Sequence, residues 1–263
     1  MELKGVHVVV TGGAGGIGQA LVQRFADEGA RAVVVADMSR ERAAEVAERV
    51  GGLGIGFDAG TEAGVRALIE EATAANGPID VFFSNAGVPG PIGGPEAPDH
   101  GWDECWRVNV MQHVWATRVL VPEMVARGDG YLVNTASAAG LLTQVSAAAY
   151  SVTKAAAVSL AEWLAVTYGD AGIKVSCLCP QAVQTPMLDE AMQEPAGAAA
   201  LRAGGILDPA DVAESVVQAM REERFLILPH EEVAQFMALK AAQPDRWIAG
   251  MRKIVRNARG ATS

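Results

Sequence analysis

Residues 6–18 read VHVVVTGGAGGIG, a β-branched run that ends in five glycines within seven positions. Three dinucleotide-loop spacings fit those glycines. Gly13, Gly15 and Gly18 make G-x-G-x-x-G; Gly12, Gly15 and Gly18 make G-x-x-G-x-x-G; Thr11, Gly12, Gly16 and Gly18 make T-G-x-x-x-G-x-G. In each reading a strand turns tightly into a helix beginning near Gly16. Small residues let the backbone approach a pyrophosphate, which rests on the positive end of that helix. The loop alone does not choose among the three, so the residues further along must.

Outward from the loop, short β-branched or apolar runs recur: RAVVVAD (31–37), LGIGFD (53–58), IDVFFSN (79–85), GYLVNTAS (130–137), IKVSCLCP (173–180) and RFLILP (224–229). With VHVVV they predict about seven strands. Between them, apolar residues recur at helical spacing, as in Ile17 to Glu28, Glu41 to Val50 and Val65 to Ala75. Strands apolar on both faces and alternating with helices describe a mostly parallel sheet covered on both sides. The expected fold class is therefore α/β, a doubly wound Rossmann fold. Ligands of such folds bind beyond the carboxyl ends of the strands.

The bulk properties narrow the class. The chain has 263 residues, 50% hydrophobic and 20% charged, with no Ser-rich or charged linker and no fixed-period repeat, so one domain over 1–263 is expected. A net charge of −10 repels nucleic-acid phosphates and anionic membranes. The balance is uneven, because Lys240, Arg246, Arg252, Lys253, Arg256 and Arg259 face only Asp245 in the tail. Residues 131–153 carry no charge but hold Asn134, Thr135, Gln144 and several hydroxyls, a polar load unsuited to a lipid-facing span. The apolar run after Lys4 is too short for a signal peptide, so a cytoplasmic location is expected. Cys105, Cys177 and Cys179, with His7, His100, His113 and His230, show no metal or redox spacing, so no metal is expected.

The strand ends carry the chemistry. Asp37 closes the second strand about twenty residues beyond the glycines, where a carboxylate accepts from the adenosine ribose hydroxyls and repels the 2′-phosphate of NADP. NAD is the expected cofactor. Arg40 and Arg42 follow closely, and a guanidinium there would pair with such a phosphate, which keeps NADP open. Asp37 could instead cap the next helix, a role that Ser39 would serve as well. Asp58 ends the third strand, where it could accept from the adenine amino group. SNAG (84–87) ends the fourth, with Asn85, Ala86 and Gly87 allowing close passage of a cofactor. Ser137 follows the fifth strand. Tyr150 and Lys154 lie four apart on a predicted helix, so their side chains share a face.

In this order, TGGAGGIG, Asp37, Asp58, SNAG, Asn109, Ser137, YSVTK (150–154) and CPQAVQTPM (179–187) resemble the short-chain dehydrogenase/reductase family, in its compact single-domain branch, from about Val6 to Pro229. The resemblance selects Thr11, Gly12, Gly16 and Gly18 as the operative loop pattern. It implies hydride transfer between nicotinamide and a secondary alcohol or ketone. It gives Tyr150 as general acid/base, Lys154 as the cation that lowers the Tyr150 pKa and binds the nicotinamide ribose, Ser137 as donor to the substrate oxygen, and Asn109 as holder of a relay water. Cofactor contacts are expected from Thr11, Gly12, Gly15, Gly16, Ile17, Gly18, Asp37, Met38, Asp58, Ala59, Asn85, Ala86, Gly87, Pro180, Gln181, Val183, Thr185 and Met187. The sequence departs from the family at Ser84, where Asn is usual, and at Gln181, where Gly is usual.

Three other readings fit less of the sequence. A Ser-nucleophile hydrolase lacks a G-x-S-x-G elbow around Ser137 and a histidine to serve it. A non-catalytic NAD-binding regulator would be marked by loss of Ser, Tyr or Lys from the site. An NADPH-dependent ketoacyl-type reductase is opposed by Asp37 and the acidic body.

The substrate is expected to be a medium-sized, mainly apolar secondary alcohol or ketone. It would be surrounded by the loop VPGPIGGPEAP (88–98) and by Val88, Ala138, Leu141, Leu142, Gln144, Gln181, Leu188 and Met192. A lid near 187–206 would close over it, and Arg202 within that stretch could contact an anion. In the tail, Trp247, Met251, Ile254, Val255 and Ala258 share a face of a predicted amphipathic helix near 244–259, opposite arginines. Docking of that helix on a neighbouring subunit of a homodimer or homotetramer is expected, with burial within its own subunit and membrane-surface binding as the alternatives.

Overall fold

The computed structural model describes residues 1–194, 197–198 and 205–260. Each predicted run forms a strand: β1 His7–Thr11, β2 Ala32–Asp37, β3 Leu53–Gly56, β4 Val81–Ser84, β5 Gly130–Thr135, β6 Ile173–Leu178 and β7 Leu226–Ile227. They form one sheet in the order β3-β2-β1-β4-β5-β6-β7, and every pair is parallel. The last strand is only two residues long, shorter than its apolar run, because it sits at the sheet edge with a single partner.

Side-chain alternation along the strands divides the core. Val8, Val10, Val33, Val35, Val81, Phe83, Tyr131 and Val133 point to one face. There they meet helices α1 (Gly16–Asp27), through Leu21, Val22 and Phe25, and α2 (Arg40–Arg49), through Ala43, Val46 and Ala47. Val9, Val34, Ala36, Phe82 and Leu132 point to the other face, against Val65, Leu68 and Ile69 of α3 (Glu62–Asn76). Strands apolar on both sides are what a doubly covered parallel sheet requires.

Helix α4 (Asp99–Trp106) runs through a π-helical turn at Arg107–Met111 into α5 (Gln112–Arg127). The uncharged stretch 131–153 becomes β5, the short α6 (Ala138–Leu142) and the start of α7 (Ala148–Tyr168). Beyond β6 come α8 (Pro186–Ala191) and α9 (Pro209–Arg221), which packs on the first face through Val212, Val216, Val217 and Met220. Helices α10 (Glu232–Ala242) and α11 (Pro244–Gly260) end the chain. On α11 the predicted apolar residues Trp247, Met251, Ile254 and Val255 are half-buried, while Arg246, Arg252, Lys253 and Arg256 are exposed. The side chain of Ala258 lies outside the described residues, as do Arg202 and much of the expected lid. Among the described residues, no helix is long and apolar enough to cross a membrane.

Candidate active site

Strand order reverses between β1 and β4, which are neighbours at the sheet centre, and the crevice opens there. Its glycines differ in how strictly the backbone excludes a side chain. Gly12 and Gly16 have φ of +62° and +47°, where a side chain is strained. A Cβ on Gly18 would overlap the Gly12 carbonyl oxygen, so helix α1 packs against the loop only through glycine. Gly15, in contrast, has extended backbone and only Arg42 within contact distance. Gly12, Gly16 and Gly18 are thus the demanding positions. Gly13 is crowded as well, by the Val10 carbonyl and the Val35 side chain.

Thr11 supports the loop from behind. It is buried, its hydroxyl accepts from the Asn85 and Ala86 N–H groups at 2.8 and 3.0 Å, and it donates to the Phe83 carbonyl at 3.3 Å. Asn85 donates to the Thr11 carbonyl (3.0 Å) and accepts from the Thr135 hydroxyl (3.2 Å), tying the ends of β1, β4 and β5 together. Gln112 donates to the Ala86 carbonyl and bolts the same turn to α5. Thr11 and Gly18 shape the cradle without lining it.

Two adjoining cavities, of about 400 and 330 Å³, follow the crevice. The smaller is walled by Asp37, Met38, Asp58, Ala59 and Val88, with Glu104 and Arg107 completing it. One Asp58 oxygen accepts from the Gly60 N–H at 2.8 Å, closing a turn. Ser39 caps α2 by accepting from the Arg42 N–H, which releases Asp37 from that duty. Asp37 accepts from the Ala14 N–H at 3.2 Å, and Arg42 donates to the Ala14 carbonyl at 3.1 Å. Arg40 turns away to Glu71 at 3.5 Å, so Arg42 alone of the two arginines reaches the crevice.

The larger cavity brings together Gly12, Gly15, Gly16, Ile17, Asn85, Ala86, Gly87, Ser137, Tyr150, Lys154 and the Pro180–Leu188 stretch. Ser137 caps α6, accepting from the Ala139 N–H (3.1 Å) and donating to the Pro180 carbonyl (3.4 Å). Lys154 is 3% exposed and donates to the Thr135 carbonyl at 2.9 Å. Its nitrogen lies 5.7 Å from the Tyr150 ring centroid. Burial lowers the Lys154 pKa to about 8. A Cβ on Gly87 would stand 3.2 Å from the Asn109 side-chain oxygen and 3.3 Å from the Lys154 nitrogen, so a side chain there would press on both.

Burial also shapes Tyr150 and Asn109. Burial raises the Tyr150 pKa, with a Ser137 hydrogen bond opposing it. Desolvation of the phenolate outweighs that bond in the protein alone. Asn109 is fully buried at the π-helical turn, and its amide is occupied by protein. It accepts from the Val88 N–H (2.9 Å) and donates to the Val88 carbonyl (3.0 Å) and the Thr153 hydroxyl (3.3 Å). Its side chain braces the Gly87–Val88 segment.

Among the expected substrate contacts, Gln144, Gln181 and Leu188 line the larger cavity and Val88 the smaller. Ala138 and Leu142 do not reach it. The turn of α6 sends them into a small apolar cluster with Val233, against Leu141, Phe236, Met237 and Trp247. Met192 lies past the end of α8, outside the cavity wall. Sequence reasoning missed Ser146 and Ala147 in the wall, and Gln112 and His230 behind it. His113 is buried beside Asn109 and Lys154 and held neutral, its pKa pushed by burial to about 3.

Known proteins share this sequence pattern and fold. A family model described as short chain dehydrogenase matches residues 6–196. The chain is 36% identical, over 88% of its length and 86% of the relative's, to 1-deoxy-11-beta-hydroxypentalenate dehydrogenase of Streptomyces exfoliatus. A crystal structure of a short chain dehydrogenase/reductase from Burkholderia phymatum in complex with NAD superposes with a TM-score of 0.83 at 31% identity, covering 93% of this chain and 96% of that one. A 3-ketoacyl-(acyl-carrier-protein) reductase from Brucella melitensis complexed with NADH gives 0.76 at 29% identity, covering 86% and 96%. With a glycine cradle at the switch point and a Ser–Tyr–Lys set across the crevice from it, the chain belongs to the short-chain dehydrogenase family.

Proposed function

We propose that this enzyme oxidises a secondary alcohol, or reduces the matching ketone, using NAD. The observation that carries the reading is that Ser137, Tyr150 and Lys154 line the same cavity as Gly12, Gly16 and Asn85. The fit to a dinucleotide rests on the cradle, whose tight turn into α1 leaves no room for side chains at Gly12, Gly16 or Gly18. Bound there, nicotinamide supplies a two-electron acceptor for the carbinol C–H or a donor to the carbonyl carbon.

In reduction, the neutral Tyr150 gives its proton to the oxygen as the carbonyl becomes an alkoxide, and Ser137 donates to that oxygen. The raised Tyr150 pKa suits this resting state. In oxidation, Tyr150 takes the hydroxyl proton and must first be ionised. An unperturbed tyrosine is only about 0.1% ionised at pH 7, roughly 4 kcal/mol uphill, and burial adds to that. Lys154, held under the ring by the Thr135 carbonyl, is the protein's own cation to offset it.

Asp37 at the end of β2 supports NAD, since its carboxylate repels a 2′-phosphate. NADP is favoured by one observation, the Arg42 guanidinium beside Gly15 in the same crevice. The half-buried apolar face of α11, which leaves Ile248 54% exposed, supports assembly into a dimer or tetramer, measurable by light scattering. The direct test of function is Tyr150→Phe. Turnover of secondary alcohols with NAD should vanish while NAD binding by calorimetry stays within a few-fold, and retained turnover would overturn the mechanism.

A further inference from the structure

We infer that the substrate carries a second, neutral oxygen group, a hydroxyl or a carbonyl, received by the side-chain amides of Gln144 and Gln181 while Ser137 and Tyr150 hold the reacting oxygen. The inference rests on the alcohol-oxidation reading above and adds the class of alcohol.

The backbone at each glutamine is tied beside one member of the catalytic set, and the Gln144 side-chain amide donates to the Ser146 hydroxyl at 3.4 Å. Gln144 lies in the turn between α6 and α7, next to Thr143. Thr143 has φ of 74° and ψ of 127°, a strained setting for a β-branched residue. Such strain persists only where surrounding contacts fix the backbone, and it collects at functional sites. Here the Thr143 N–H donates to the Ala139 carbonyl at 3.0 Å, and a hydroxyl fixes the next residue. Ser151 accepts from the Gln144 N–H at 2.8 Å and donates to the Gln144 carbonyl at 3.2 Å. Ser151 is the residue after Tyr150, so the backbone of Gln144 is referenced to the general acid/base.

Gln181 is tied to Ser137 in the same manner. The preceding Pro180 carbonyl accepts from the Ala138 N–H at 2.8 Å and from the Ser137 hydroxyl at 3.4 Å. On the other side, the Gln181 N–H donates to the His230 ring at 3.2 Å. The Gln181 amide oxygen is shut from solvent and has no hydrogen-bond donor. A buried acceptor left in this way is unfavourable, and a donor on the substrate would relieve it once the amide turns into the cavity.

The surroundings select a neutral group. Among the described residues lining this cavity, the charged ones are Asp37, Arg42 and Lys154. The first two sit at the β2 end, and Lys154 is engaged with Thr135. No described cation is free to receive a carboxylate or phosphate next to Gln144 and Gln181, whereas an amide both donates and accepts. Pro89, Ile92, Ala147, Met187 and Leu188 give the rest of the wall an apolar lining for a carbon skeleton.

The test compares matched alcohols with NAD: cyclohexanol against cyclohexanediol, decalol against decalindiol, and hydroxycyclohexanecarboxylate as the charged member. A site built to hydrogen-bond a second hydroxyl rejects the analogue that lacks it far more strongly than an apolar pocket would. The wild type should show kcat/KM for the diol about tenfold or more above its mono-ol. Gln144→Leu and Gln181→Leu should each shrink that ratio about tenfold. A merely structural role would lower both members together and leave the ratio unmoved, which overturns the inference. So does equal kcat/KM for the pair in the wild type, or preference for the carboxylate. Turnover of mono-ols without preference leaves the alcohol-oxidation reading standing and removes only this inference. No turnover of any member, with NAD bound, overturns both.

Discussion

The imidazole of His230 bridges two consecutive residues of the cavity wall: its Nδ1 accepts from the Gln181 N–H at 3.2 Å and its Nε2 donates to the Ala182 carbonyl at 3.1 Å. An amide N–H only donates and a carbonyl only accepts, so these partners fix the neutral ring in one tautomer. Burial lowers the His230 pKa accordingly.

Protonation would set two donors against each other at Gln181. This native-state contribution is therefore present above the ordinary histidine value and lost as pH falls through the lowered one. His230→Phe strands one donor and one acceptor, and should lower stability by about 1–3 kcal/mol. Thermal melts across mildly acidic pH should show the wild type losing its advantage over the variant as pH drops.

The loop itself gives a contrast between two glycines. Gly18→Ala forces a methyl into the Gly12 carbonyl and should lower Tm and weaken NAD binding by at least about tenfold. Gly15→Ala meets only the end of the flexible Arg42 side chain at 3.6 Å. It should keep the fold with a loss of no more than about 1 kcal/mol. Equal damage at both positions, in melting and calorimetry, would contradict the assignment of Gly12, Gly16 and Gly18 as the operative set.

Cofactor choice turns on Asp37 and Arg42. Asp37→Ala removes the charge that opposes a 2′-phosphate, and Arg42 stands ready in the same crevice. The NAD-over-NADP affinity ratio should fall at least about tenfold. Adding Arg42→Ala should then remove most of the NADP binding gained. Calorimetric titration of the four proteins closes the cycle and isolates the pair's coupling.

Lys154 carries a pH prediction for the protein without cofactor. Its pKa falls from 10.5 to about 8 on folding, equivalent to roughly 3 kcal/mol against the buried ammonium. Between those values the unfolded chain holds the proton and the native one does not, so stability rises with pH. Relative to Lys154→Met, the wild type should gain stability from about pH 8 upward. A flat difference in denaturant melts would show that the amine is better solvated than its burial implies.

Much of this was legible beforehand because strand ends, glycines and a Tyr–Lys pair are local in sequence. Seven β-branched runs gave seven strands, and Asp37, Asn85, Gly87, Ser137, Tyr150 and Lys154 all reached the crevice or its lining. What stayed hidden depended on helix phase and on distant partners. The five-residue α6 turns Leu142 toward Val233, a direction no short apolar run reveals. The π-helical turn at Arg107–Met111 rotates Asn109 onto Val88 and brings Gln112 under Ala86, and periodicity arguments assume regular helix. His230 and Gln181 meet across 48 or more residues, beyond the reach of any spacing motif.

The exchange between Thr11 and Asn85 joins residues 74 apart in the chain. The N-terminal ammonium likewise donates to the Met220 carbonyl at 2.8 Å, across nearly the whole length. Parallel pairings of this span close large loops before any contact rewards them, so folding should be slow and the crevice should be among the last features to form. A dinucleotide recognises only the finished article. At a hundredfold excess over its Kd it would add about 2.7 kcal/mol to the native state. In a cell, the supply of cofactor would then set how long each newly made chain survives its proteases.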